Sequence, residues 1–363
     1  MAKHKELEGL QMLRGICATA VVVDHTAGML GDPKYGGFNL LGGALEYGFL
    51  GVDIFFVISA FIMCAVVLRG SDFTPKISAA SFFEKRFSRI VPLMWIAILS
   101  YAAMQAVFVR APAEWGGYLR AMVLWPDSFL RPTIIWTLRQ ELVFYILFCL
   151  AFFTIRPARW ILLLWVLSPF AYVATLGSWT ATTGYIDTTA SILFSSTNLE
   201  FGAGLIVGLL FVRYPPKRDL VMPVNPLFIL TALSIAAFAV CGMLGLQGQT
   251  LITTGLMGVM GGLIVALSVR VACPPGLVTR IGILLGNASY SIYLFHSHVL
   301  ASVLAVRAKL GFDPGGWVIL AGVSLLAIGV GVVISLVIEQ PLVRLAKSLL
   351  VRPNRTAPAG LPR

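Results

Sequence analysis

The sequence predicts an all-α polytopic membrane protein with about ten transmembrane helices. Three observations lead there. Of 363 residues, 58% are hydrophobic and only 12% are charged, and the mean hydropathy of +0.88 lies far above that of an ordinary soluble domain. Apolar runs of roughly 17–25 residues, the length that a ~30 Å hydrocarbon core requires, recur along the chain. The Lys and Arg residues behind the formal net charge of +11 fall in short runs between these spans. They form no single amphipathic patch, so they read as topology signals and not as a nucleic-acid surface.

The spans cover 10–30, 47–68, 90–109, 133–155, 159–176, 199–212, 226–246, 251–269, 281–306 and 317–343, the sixth being the shortest. Ten crossings put Lys3, Lys5, Arg69, Lys76, Lys85, Arg86, Arg89, Arg156, Arg159, Arg213, Lys217, Arg218, Arg270 and Arg280 on one side, together with the basic residues that follow the last span. The opposite loops hold only Lys34, Arg110, Arg120, Arg131, Arg307 and Lys309. By the positive-inside rule both termini are expected in the cytoplasm. The interspan stretches at 31–46, 69–89, 110–132 and 177–198 are too short to fold alone. Residues 1–346 are therefore expected to form one transmembrane domain, and 347–363 a disordered basic tail. Lys3 and Lys5 precede an apolar run as in a signal peptide, but the run carries ionisable residues and no convincing cleavage site, so an uncleaved first helix is expected. Cys17, Cys64, Cys149, Cys241 and Cys273 are scattered without metal-ligand spacing; neither a disulfide framework nor a metal is expected. There is no visible internal repeat of the kind that builds duplicated transporters.

The first span is unusual because it carries Arg14, Asp24 and His25. A charge near the bilayer centre costs about 2.5–3.5 kcal/mol even on the lenient insertion scale, so such residues face a protein interior or a cavity. At ~100° and ~1.5 Å per residue, the eleven positions between Arg14 and His25 leave them on one helix face, about 16 Å apart. Asp24, about 100° round, is expected to face elsewhere. The same depth count brings His25, Asp53, Glu141 and His296 to a similar level in the outer half, while Arg14, Arg86 and Arg89 gather near the cytoplasmic surface. Guanidinium groups bind phosphate oxygens bidentately. A deeper histidine, its ring held by Glu141 or Asp53, fits a general base acting on a hydroxyl. Joined by one cavity, the two groups fit an elongated activated donor such as an acyl-coenzyme A. Plainer roles stand beside these: Asp53 on its helix dipole, Arg86 and Arg89 as membrane anchors, His296 as a buried hydrogen-bonded histidine, and Glu339 with Pro341 as the brace and break of the last helix.

Those residues also carry a family resemblance. Arg14 with ten residues before His25 resembles the R-x10-H motif of the membrane-bound acyltransferase 3 family. GVDIFFVISAFIM at 51–63 resembles its GVDxFFVxSGF segment, with Ala60 where glycine is usual, an extra methyl that should tighten a helix contact. Arg86, Arg89, Ile90 and Pro92 match its R-x-x-R-I-x-P element; Trp136, Glu141 and Tyr145 match W-[ST]-L-x-x-E-x-x-F-Y; SYSIYLFH at 289–296 and IEQPL at 338–342 complete the series in order. The resemblance implies transfer of an acyl group, most often acetyl, from cytoplasmic acyl-CoA to a sugar hydroxyl of an exported polysaccharide or lipid-linked glycan at the inner membrane. His25 would be catalytic, as a base or as a transient acyl carrier, with Arg14, Arg86 and Arg89 near the donor. Lacking the extra extracytoplasmic domain of some members, the chain is expected to use its outer loops, glycan-synthesis machinery or a lipid-linked acceptor. The rival expectation is a proton-coupled transporter or flippase for a glycan precursor.

Overall fold

A computed structural model describes residues 7–108, 115–126, 130–176, 188–217, 219–246, 248 and 250–350. Thirteen α-helices follow in order: α1 (Glu8–Gly31), α2 (Leu50–Val67), α3 (Ala79–Phe108), α4 (Trp115–Met122), α5 (Trp136–Phe153), α6 (Arg159–Leu176), α7 (Thr189–Leu193), α8 (Asn198–Arg213), α9 (Pro226–Met243), α10 (Leu251–Ser268), α11 (Leu277–Leu310), α12 (Gly316–Ile334) and α13 (Gln340–Leu350). A two-residue antiparallel ladder, Leu68–Arg69 with Thr74–Pro75, closes the turn after α2. Nine helical stretches among the described residues are long and apolar enough to cross a membrane. The first predicted span, α1, is 24 residues long, carries Arg14, Asp24 and His25, and is not in that set. Nine of the ten expected spans are thus matched, and α1 stands apart as a polar, central helix.

Three departures have physical causes. α3 begins eleven residues before the predicted span, because the polar run AASFFEKRFSR is helical too and carries Arg86 and Arg89 on a continuous rod. Pro92 inside it removes one ladder hydrogen bond; close by, the Tyr290 hydroxyl of α11 donates to the Ile90 carbonyl (2.8 Å) and ties the two helices together. After α12 the chain widens into a π turn at Ser335–Glu339, which turns Glu339 inward to accept from Ser291 (2.6 Å) and Ser335 (2.9 Å). Pro341 follows as the second residue of α13, inside a helical stretch that runs on from α12 through the π turn, so its missing N–H removes one ladder hydrogen bond there. α13 runs to Leu350, four residues into the expected tail; positions 351–363 lie outside the described residues.

α1 is wrapped by α2, α9, α10, α11 and α12 and by a 3₁₀ segment at Leu40–Phe49, and it meets α11 most extensively. Small residues make that approach possible: a methyl at Gly286 would stand 1.9 Å from the Gln11 carbonyl oxygen, and one at Gly15 would stand 2.9 Å from Leu285 Cβ. The Ala60 departure is absorbed in the same way. Its methyl faces Gly204 of α8, where an added methyl would lie 2.8 Å from it. An aromatic cluster of Phe82, Phe144, Tyr145, Phe148, Trp165 and Phe201 packs α5 against α3, α6 and α8, fixing the face of α5 that carries Glu141.

Candidate active site

Arg14, Arg86 and Arg89, reached from α1 and α3, line one cavity together with Glu141 and Tyr145 of α5, Ser59 of α2, and Tyr290 and Tyr293 of α11. The arginine trio expected from depth counting therefore converges. Arg14 Nη1 donates to Gln11 Oε1 (3.0 Å), and Arg86 rests against the Tyr145 ring at 5.8 Å. Among the described residues none of the three arginines is in an ion pair. Unpaired guanidinium groups around an apolar-walled space are a receptor for an anion, since they keep charge and donors available.

Glu141 belongs to this end. Its Oε1 accepts the hydroxyls of Ser59 and Tyr145, and it stands with Glu339 and Arg89 in the electrostatic surroundings of Arg14. Arg139, which lies two residues before it, donates instead to the Trp125 carbonyl (3.0 Å). Tyr145 could have been read from the sequence, being one helical turn from Glu141 on the same face; Ser59, on another helix, had no such signal.

His25 is organised differently. Its Nδ1 lies 2.7 Å from Nε2 of His296, with ring planes within 4° and centroids 4.9 Å apart. The centroid separation exceeds the nitrogen–nitrogen distance by about one ring width, so the rings meet edge to edge in a shared plane, as a linear N–H···N bond requires. His296 is fully buried, and its Nδ1 faces the backbone carbonyls of Tyr293 (2.6 Å) and Ile292 (3.3 Å). The His25 side chain is 43% exposed, and its Nε2 lies 3.7 Å from Asp24 Oδ2. The depth count grouped His25 with His296 correctly. The expectation that a carboxylate from Glu141 or Asp53 holds the ring is corrected: His296 does.

Asp53 is fully buried at the start of α2, where it faces Glu200 of α8 and lies near Cys241. Asp24 turns to the 3₁₀ segment, as its place on the helical wheel predicts: it packs on Gly48 and its carboxyl accepts from the Phe49 backbone N–H, with Oδ2 3.7 Å from His25 Nε2. The expected single path from Arg14 to His25 is also modified: the cavity wall extends to Thr137 and Tyr293 and does not include His25. His296 follows one helical turn after Tyr293 on α11. His298 is a helix staple, its Nε2 3.1 Å from the Ala97 carbonyl of α3.

Residues 7–336 match the acyltransferase domain of the acyltransferase 3 family. The chain is 30% identical over 313 residues to the exopolysaccharide production protein ExoZ of Rhizobium meliloti (strain 1021), covering 82% of this chain and 90% of that protein. It is 26% identical over 390 residues to nodulation protein 10 of Rhizobium leguminosarum bv. viciae, covering 94% of each. A shorter match, 27% over 107 residues, relates 30% of the chain to 15% of the putative peptidoglycan O-acetyltransferase YrhL of Bacillus subtilis (strain 168). No solved structure matches. Near-complete coverage by the family's domain, on a bundle of membrane-length apolar helices, makes this chain a member of the acyltransferase 3 family and a multi-pass membrane acyltransferase.

Proposed function

We propose that the protein moves an acyl group, acetyl in the first instance, from cytoplasmic acyl-CoA to a hydroxyl of an exported or lipid-linked polysaccharide at the inner membrane. The observation that carries this reading is the arginine-lined cavity that ends one helical turn from the His25–His296 pair. The basic loops lie at the end of the bundle where Arg86 and Arg89 enter, and the positive-inside rule makes that end cytoplasmic. The cavity encloses about 140 Å³, less than the ~300–1,000 Å³ of a pocket that surrounds a whole drug-sized ligand. It suits the chain-like arm and thioester of the donor, while the nucleotide phosphates stay at the mouth against Arg14, Arg86 and Arg89. Glu141, with Ser59 and Tyr145, holds that lining in place.

His25 Nε2 removes the proton of the acceptor hydroxyl, the oxygen attacks the thioester carbonyl, and the carbon–sulfur bond breaks; the departing thiolate takes the proton back from the ring. A route through an acyl-histidine delivers the same product in two steps, and acyl-protein trapped with donor alone distinguishes it. The similarity to ExoZ and the partial similarity to a peptidoglycan O-acetyltransferase support a glycan acceptor, which glycan-synthesis machinery would supply at the outer loops. Asp53 is assigned to bracing α2 against α8. A proton-coupled transporter would move its substrate without any acyl donor, and the family membership speaks against it. The test is mass spectrometry of surface glycans from cells that carry His25→Ala in place of the native chain. Loss of the acyl mass with normal membrane insertion is expected, and unchanged acylation overturns the proposal.

A further inference from the structure

We infer that His296 is a positioning residue that fixes the proton of His25 on Nδ1 and so leaves Nε2 as the basic nitrogen of that ring. The inference rests on His25 acting as the base, but its logic is independent of the substrate. A carbonyl oxygen only accepts, so the His296 nitrogen 2.6 Å from the Tyr293 carbonyl must carry a hydrogen. In a neutral His296 the other nitrogen, Nε2, then holds a lone pair. That lone pair is 2.7 Å from His25 Nδ1, so His25 Nδ1 must be the donor, and the lone pair of a neutral His25 falls on Nε2. The shared ring plane is the geometry that this donor needs.

The direction of the chain is anchored by backbone, because reversing it would set the lone pair of His296 Nδ1 against the Tyr293 carbonyl oxygen in a buried place. His25 Nε2 is also the nitrogen beside Asp24 Oδ2 at 3.7 Å, so the proton taken from the acceptor hydroxyl arrives next to a carboxyl group. Tyr293 itself lines the arginine cavity, its hydroxyl donating to the Ile134 carbonyl (3.0 Å). One residue thus links the wall of the donor space, through its own backbone carbonyl, to the tautomer of the base.

The chain has four histidines, which makes the state of each readable by ¹⁵N NMR of the full-length protein in lipid nanodiscs with labelled histidine. The His25→Ala spectrum assigns the His25 signals. The expected result is a protonated Nδ1 and an unprotonated Nε2 at His25 in the resting protein. Replacement by His296→Leu should mix the two tautomers and lower kcat about 100-fold, the scale of a misplaced general base, with donor KM unchanged. His296→Gln, whose amide oxygen can accept in place of Nε2, should restore the single tautomer and part of the rate. A His25 protonated on Nε2 in the native protein, or a His25 tautomer unaffected by His296→Leu, overturns the inference; the native spectrum decides it even where His296→Leu fails to fold. A native His25 with Nδ1 protonated in a protein that transfers no acyl group would keep the tautomer assignment and remove the proposed function.

Discussion

Two spaces flank α1, each also walled by part of α11, and they differ in size and in chemistry. On the face that carries Arg14 lies the arginine-lined cavity of about 140 Å³. On the opposite face, past Ile16, Thr19 and Val23, lies a groove of about 890 Å³ between α1, α9 and the 3₁₀ segment after α1, with Thr19, Thr231 and Ser234 among otherwise mostly apolar walls. The larger space holds no ionisable group besides Tyr47. The smaller one holds three arginines and a glutamate, and it stops a turn short of two paired imidazoles. The contrast teaches that volume is a poor guide to chemistry in a membrane bundle. What marks the working side is polar cost: buried charge in lipid persists only where something is gained from it.

Substitutions on each side sharpen or break that contrast. The largest effect belongs to His25→Ala, which should reduce acyl transfer by about 10²–10⁴-fold, the range of general-base catalysis; equilibrium donor binding, measured on the same purified protein, should stay as in the native chain. Next, Arg86→Ala should raise donor KM about 10–100-fold, as expected for losing a charge-assisted hydrogen bond of about 1.5–3 kcal/mol. An unchanged KM there would reduce Arg86 to a membrane anchor. Gly286→Ala should lower stability by about 1–3 kcal/mol through overpacking, seen as a lower Tm. Gly322→Ala, where an added methyl meets nothing within 4 Å, is its neutral control. The smallest effect is expected from Ala239→Phe, which fills the apolar groove: kcat and donor KM should match the native values. A loss of activity there would move the working side to the wrong face of α1.

Much of this was legible in the sequence, and the limits were physical. Apolar runs mark helices directly, so α6 and α10 fall within a residue of their predicted spans. The convergence of Arg14, Arg86 and Arg89 was readable because all three lie close to a basic loop, where depth is well defined. The pairing of His25 with His296 was only half readable. Depth counting put them at one level, but no local pattern says that residues 271 positions apart in sequence share a hydrogen bond. Glu141 was placed at the level of His25, and depth along α5 could not say that its partners there are Ser59 and Tyr145 on the wall of the arginine cavity. Asp24 was readable from the helical wheel, since it faces the 3₁₀ segment at Gly48, with one carboxyl oxygen 3.7 Å from His25 Nε2.

The small residues between α1 and α11 carry a consequence for biosynthesis. α1 is made before α11, and it is not among the helices apolar enough by composition to cross a membrane. The notch that receives it, at Gly282 and Gly286, belongs to a helix that starts only at Leu277. An earlier helix is thus secured by a later one, and a nascent chain stopped before α11 would keep the whole R-x10-H motif while lacking the notch into which α1 packs.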